Sequence, residues 1–379
     1  MGLGLGQFRP RQGGAESGRM MRLRLRLHAV LVSAFTIAVL AAAPAGAEPV
    51  ADFYRGKQIK IYIRAAPGGN YDVYSRLIGR HIVRFLPGNP SVLPVNMPGG
   101  GGLVALNYVA NVAPRDGTVL TMITQSFPMD QALGLDKNLK VDLRTLNWIG
   151  NMSDTNEFFY TAKSSPTKTL QDARRRETPV AATGAGSIMT QLAAVYNNML
   201  GTRFKVIYGY PSGPDMTLAL ERGEVEGRST SNPQVLGASK AEVAAKYNFL
   251  IQAGLRRFPA YEEVPLLREL ASDADQQAVF DFISKAVVVA RPIMAAAGVP
   301  SDRVAALRAA FDAAMADPEF RREAERQGLE ISPMGGEELA KIIADMLDTP
   351  SALLARIAKA IEIKALEPAK GAKPGAAAE

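Results

Sequence analysis

The chain of 379 residues contains no cysteine. That excludes disulfides, a thiol nucleophile, a thiolate metal site and a lipid anchor carried on a cysteine. Histidine is nearly as scarce. There are two, and one falls in the amino-terminal segment treated below, leaving His81. A histidine metal site or a Ser-His-Asp triad would rest on that residue alone, and no HxxxH or HExxH spacing exists. His81 sits mid-helix by the local pattern and reads as structural. There is no GxSxG nucleophile elbow and no GxxxxGK[ST] phosphate loop. No metal, cofactor or covalent chemistry is expected, and a hydrolase or transferase is the weaker reading.

Long apolar runs are short here. Met21–Arg26 is basic, Ala29–Leu40 is uncharged and apolar, and Ala45, Gly46 and Ala47 follow. The apolar run is too short for a transmembrane helix. The charged, apolar, small-residue order is that of a secretory signal cleaved after Ala47. Residues 1–19 read as an upstream extension, with Met20 or Met21 as the start. The segment 1–47 carries six arginines and one glutamate, so its removal takes five positive charges and leaves +2 of the formal +7. The basic balance is therefore no argument for nucleic acid. The expected product is exported and floats free in its compartment.

What remains alternates between strand and helix. Ile59–Ala65, Ser91–Met97 and Thr118–Ile123 read as strands. Tyr71–Phe85 and Leu103–Val112 read as helices. The grammar repeats with strands at 179–182, 204–208, 224–228 and 249–255, helices at 170–177, 188–200 and 215–222, and a strand at Ala286–Ala290. This order predicts an α/β fold of mostly parallel sheets covered by helices. Beyond Val299 the pattern is helical, without strands, and is expected to cover the first sheet. The layout is two lobes: 48–155 with 288–365, and 156–287, crossed near 151–158 and 287–292 and free to hinge. Residues 366–379 read as a disordered tail.

Four glycine-rich turns each follow a strand and precede a helix. They are Pro67, Gly68 and Gly69; Asn96 to Gly102 with Gly99 and Gly100; Ala182 to Ser187; and Gly209 to Asp215. In open α/β sheets that edge binds ligands, and helix starts offer unpaired N–H groups to an anion. Gly184, Ala185 and Gly186 superficially match a dinucleotide loop but lack its third glycine.

The stretches "DFYRGKQIKIYIRAAPGGNYDVYSRLIGRHI", "NMPGGGGLVALNYVANVAPRDGTVL" and "GYPSGPDMTLALERGEVEGR" resemble the tripartite tricarboxylate transporter substrate-binding proteins, the TctC or Bug family of periplasmic receptors. The segment from Arg291 to Leu339 resembles that family's closing part. The resemblance implies a periplasmic binding fold of type II-like architecture, with two α/β lobes, a hinge and an inter-lobe cleft of Venus-flytrap kind. It implies a small carboxylate, a di- or tricarboxylate or an aromatic acid, passed to a membrane permease. A subunit feeding a sensor kinase is the alternative. A monomer is expected.

By resemblance, Pro67, Gly68, Gly69 and Asp72, the helix start Thr183–Ser187, and Asp215 belong to the site. Arg64 and Arg228 depart from the family pattern. Each is able either to grip a ligand carboxylate with its fork or to fix a loop. Asp72 reads as a cap orienting loop amides, or as an acceptor from a ligand hydroxyl or ammonium. Asp215 reads first as an N-cap. Ser126, Thr183 and Ser187 offer hydroxyls or caps. Tyr71, Phe127 and Tyr210 are expected to wall the cleft. Arg174–Arg176 reads as a solvated helix face.

Overall fold

A computed structural model of the chain describes residues 1–2 and 49–369, apart from 154–155, 185, 211–212, 231–232, 237–238 and 365. The expected signal segment and the end of the expected tail lie outside these residues.

Helix α1 (Val50–Tyr54) leads into β1 (Gln58–Ile63), α2 (Asn70–Phe85), β2 (Ser91–Asn96), α3 (Leu103–Asn111), β3 (Val119–Met122), α4 (Phe127–Leu133) and β4 (Asn147–Asn151). After a crossing come β5 (Glu157–Ala162), α5 (Leu170–Arg175), β6 (Thr178–Ala182), α6 (Ile188–Leu200), β7 (Phe204–Tyr208), α7 (Gly213–Glu221), β8 (Gly227–Thr230), α8 (Lys240–Lys246), β9 (Tyr247–Ala253) and α9 (Ala274–Val288). The chain returns with β10 (Pro292–Ala295), α10 (Ser301–Ala316), α11 (Pro318–Arg326), β11 (Met334–Gly335) and α12 (Gly336–Leu347), then ends with α13 (Ser351–Ala360) and β12 (Leu366–Pro368).

The strands form two six-stranded sheets, ordered β11-β4-β10-β3-β1-β2 and β12-β7-β6-β8-β5-β9. β2, β1 and β3 are parallel, as are β7, β6 and β8. Both sets of carboxyl ends therefore point to one edge of their sheet. Three glycine turns leave β1, β2 and β6 at those edges, and the fourth leaves β7.

One face of the first sheet packs on α2 and α10 through Ile61, Ile78, Leu307 and Phe311. The other face belongs to a cluster that also contains buried residues of the second sheet. It runs from Tyr62 and Trp148 through Val279, Phe280 and Ile283 of α9 to Phe159 and Val180. The outer face of the second sheet packs on α7 and α8 through Tyr160, Met216 and Val243. The two sheets thus share an apolar base.

Four expectations need correction. Ala286–Ala290 is not a strand. Its first residues finish α9, which is capped by Asp273, whose carboxylate accepts the Gln276 N–H at 2.7 Å. A helix buried on most sides shows the same unbroken apolar run as a buried strand, so periodicity cannot separate them. The strand is Pro292–Ala295 instead.

The closing segment does contain strands: β11 pairs with β4, and β12 pairs with β7. The chain past Leu347 also leaves the first sheet. Helix α13 still touches α4 of the first lobe but also lies against α6 and α9, and Asn198 donates to the Ala360 and Glu362 carbonyls at 3.0 and 2.8 Å. Finally, Leu366–Pro368 is ordered as an edge strand, held by the Ala369 N–H on Tyr208 O (2.7 Å) and a Lys205–Glu367 pair at 2.5 Å. An edge strand needs only one paired side, which explains its low apolar content and its proline.

Candidate functional site

The turns after β1, β2 and β3 are neighbours because Ile63 lies beside both Asn96 and Met122. Asp72 organises the first of them from inside. It is buried, and its carboxylate accepts the Gly68 N–H (2.9 Å), the Asn96 amide (2.8 Å) and Arg76 Nε (2.9 Å). Burial pushes its pKa up, but these donors win and hold it below the ordinary aspartate value. The N-cap residue of α2 is Gly69, so Asp72 acts from the first turn as an orienter of loop amides. Its oxygens are filled by protein donors. Pro67 and Gly68 are exposed, and Gly69 is half-buried.

Arg64 answers its two readings in favour of the loop. Nε and Nη2 both donate to Gly101 O, at 3.1 and 2.6 Å, and the guanidinium lies 4.3 Å from the Tyr71 ring centroid. Gly102 makes room for it. At φ 107° this residue is in a region that disfavours side chains, and an added Cβ would come within 2.4 Å of Arg64 Nε. Gly99 and Gly100 are exposed on the same turn.

Tyr71 is the centre of the first cluster. Its hydroxyl reaches Ala290 O at 3.4 Å, and Arg291 lies 4.9 Å from its ring centroid. Burial pushes the phenol up. The charges of Arg291 and Arg64, with hydrogen bonds from Thr124 and Gln125, outweigh that and set it below its ordinary value. Ser126 stands at the start of α4 and donates to Asp130, whose pKa burial raises to about 6 against that bond. Phe127 does not wall a cleft. It is buried in the shared core.

On the second sheet Ala182 lies beside Tyr208, so the turns after β6 and β7 adjoin. Ser187 caps α6, accepting the Thr190 N–H at 3.4 Å, and Thr190 Oγ1 donates to Gly184 O at 2.7 Å. Gly209 N–H donates to Thr183 O at 3.2 Å. Gly186 is exposed, and Ala185 lies outside the described residues. Tyr210 is half-buried against the cluster that contains Tyr160 and Met216, and burial raises its phenol. Helix α7 begins at Gly213, so Asp215 is an exposed residue of its first turn and not its N-cap.

Arg228 is buried and tied locally. Nε donates to Ser229 O at 3.0 Å, and Nη1 donates to Gly213 O and to Thr217 Oγ1 at 2.9 Å. Arg176, expected on a solvated face, instead forks onto Glu226 at 2.6 and 2.8 Å. His81 is buried and joins α2 to α11 through Glu323 at 2.7 Å.

Three residues at the crossing escaped the sequence reading. Asn151 is fully buried and donates to Ser153 O and Val288 O, both at 2.8 Å, while accepting the Arg291 N–H at 2.7 Å. Arg291 lies 4.9 Å from the ring centroids of both Tyr71 and Tyr74. Glu157 is buried at the start of β5 and accepts the Ser229 hydroxyl at 2.5 Å. Burial pushes its pKa up to about 7 against that bond and the charges of Arg228 and Arg291. The only sequence signal for them is their place between the two strand-helix units.

A cavity of about 710 Å³ lies on the other flank of the crossing, between Asn156, Arg256 and Phe258 and the opposing Arg321, Leu329 and Ser332. None of the sequence-proposed residues lines it. Among the described residues no group of three His, Asp or Glu is placed to hold a metal, and no helix is long and apolar enough to cross a membrane.

A family profile described as tripartite tricarboxylate transporter family receptor matches residues 86–359. Among solved structures, a TctC solute-binding protein from Polaromonas is 21% identical with a TM-score of 0.62, over 81% of this chain and 99% of that one. MatC of Rhodopseudomonas palustris, with bound malate, is 21% identical at TM-score 0.56, over 81% and 99%. An R. palustris protein with adipate is 19% identical at TM-score 0.58, over 83% and 99%. All three share the two-sheet α/β fold.

Proposed function

Because the chain belongs to the tripartite tricarboxylate transporter receptor family, we propose that it captures a small carboxylate between the turns of its two sheets and delivers it to a membrane permease. The family is one of solute-binding receptors, and this reading assigns no covalent chemistry. The observation that carries it is the convergence of two turn clusters on one crossing. The strands β1–β3 and β6–β8 point their carboxyl ends to edges joined by the short link from Asn151 to Glu157. Helix starts and loop amides at such edges favour an anion. Malate and adipate in the two related structures are both dicarboxylates.

The proposed setting is the periplasm, reached by cleavage near Ala47, as a free monomer. The proposed ligand contacts are Gly68, Gly69, Gly99 and Gly100 with Ser126 on one side, and Thr183–Ser187, Tyr210 and the α7 start on the other.

A thermal-shift screen of the exported protein against mono-, di- and tricarboxylates and aromatic acids tests this reading. A ligand that binds only the folded state raises the melting temperature. One acid class is expected to do so. No shift with any acid, from protein shown by mass spectrometry to carry no trapped ligand, would sink it.

A further inference from the structure

A guanidinium grips a carboxylate best through two parallel N–H donors, and Nε with Nη2 form one such pair. Two arginines near the turns have committed both donors of that edge, and a third has committed its Nε. Arg64 gives Nε and Nη2 to Gly101 O. Arg76 gives Nε to Asp72 and Nη2 to Asn96. Arg228 gives Nε to Ser229 O and Nη1 to Gly213 and Thr217.

Arg291 is different. Only its Nη1 is engaged, by Ala290 O at 2.7 Å. Its Nε is buried and has no partner among the described residues, and Nη2 makes no hydrogen bond to them. A buried donor left unpaired costs free energy and calls for an explanation. The group is also held in place. Asn151 fixes its main-chain N–H, and the Tyr71 and Tyr74 rings flank the guanidinium.

The charges around Arg291 do not fill the fork. Glu157 feels its charge, and that carboxylate is hydrogen-bonded to Ser229. Arg64 adds a second cation over the same tyrosine. The strand directions place Arg291 at the turn edge of the first sheet, where Ile123 N–H meets Pro292 O at 3.1 Å.

We propose that Arg291 is the anchor for one ligand carboxylate, received side-on by Nε and Nη2, with the tyrosine pair as its platform. This rests on the carboxylate reading above and adds a charged anchor to a site otherwise built of loop amides.

The test is isothermal titration of the full chain's exported product with malate and adipate, for the native protein, Arg291→Lys and Arg291→Ala. Lysine keeps the charge and the main-chain clamp but loses the fork. The expected result is affinity lower by roughly 10- to 100-fold in both variants, the range for a charged hydrogen-bonded pair. Millimolar guanidinium is expected to restore binding to Arg291→Ala, while equimolar sodium chloride does not. Native-level affinity in both variants overturns the anchor and leaves the carboxylate site standing. Loss without guanidinium rescue, with unchanged melting of the unliganded variants, also overturns it, since the residue would then act only by positioning. If the native protein binds neither these acids nor any acid of the screen, the underlying reading falls and the anchor with it.

Discussion

The side-chain oxygen of Asn151 accepts the main-chain N–H of Arg291 at 2.7 Å, while its amide nitrogen holds the carbonyls of Ser153 and Val288. One fully buried side chain thus ties the outgoing crossing to the returning one. Replacing it with alanine takes the partner from the buried Ser153 carbonyl and Arg291 N–H, while the Val288 carbonyl keeps the Ala290 N–H at 2.9 Å. The cost is expected to be on the order of 3–5 kcal/mol, because each buried unpaired group loses its desolvation compensation. Urea unfolding of Asn151→Ala measures it directly. A loss under about 1 kcal/mol would mean that water enters and replaces the clamp.

Glu157 makes stability depend on pH. Its folded pKa is raised to about 7 from an ordinary 4.5, so the folded state holds the proton more tightly than the unfolded chain. Between those two values the folded state binds more protons, and stability must fall as pH rises. The full penalty is reached above about pH 7 and amounts to about 3 kcal/mol. Glu157→Gln removes the ionisation while keeping an acceptor for Ser229. This variant is expected to be more stable than the native protein at pH 8 and little different at pH 4.5. Melting curves at the two pH values decide it, and a gain confined to the acid side would contradict the sign.

Gly102 positions Arg64 by having no side chain. Alanine there must hold φ near 107° and place its Cβ against the guanidinium. The backbone strain alone costs about 1–3 kcal/mol. Gly102→Ala is therefore expected to lower the melting temperature and to loosen Arg64 from Gly101. Arg64→Ala relieves the clash, so the double variant should cost less than the sum of the single ones. Strict additivity would show that the steric contact does not matter.

Much of this was legible because local rules and tertiary contacts agree. The alternation in β1, the 3.6-residue spacing of Leu77, Ile78 and Ile82, and the glycine turns each follow from one-dimensional pattern. β4 and β5 were not legible. Phe158, Phe159 and Tyr160 are all buried, so the strand shows no alternation. Arg64 and Arg228 were visible as candidates, yet whether their forks are free depends on Gly101, Gly213 and Thr217. Arg291 has the opposite history. Nothing beside it in sequence marks it, and its place follows from tyrosines more than two hundred residues earlier, brought to it by sheet order.

The crossing also predicts a reciprocal motion. β10, β3, β1 and the turns lie on one flank of β4, and β11 lies on the other. In the second sheet β8, β6 and β7 lie on one flank of β5, and β9 on the other. The turns occupy the first flank, and the cavity of about 710 Å³ occupies the second. A rotation about the crossing that brings the turns together must draw the walls of that cavity apart. The absence of cysteine makes this measurable, since any introduced pair is the only one labelled. Spin labels at Ala260→Cys and Arg321→Cys report the cavity, and labels at Val104→Cys and Leu218→Cys report the turn side; all four positions are exposed. On adding a saturating acid from the screen, the first distance is expected to lengthen while the second shortens. Shortening of both would mean that the sheets approach without pivoting, and the shared apolar base through α9 would then be the part that yields.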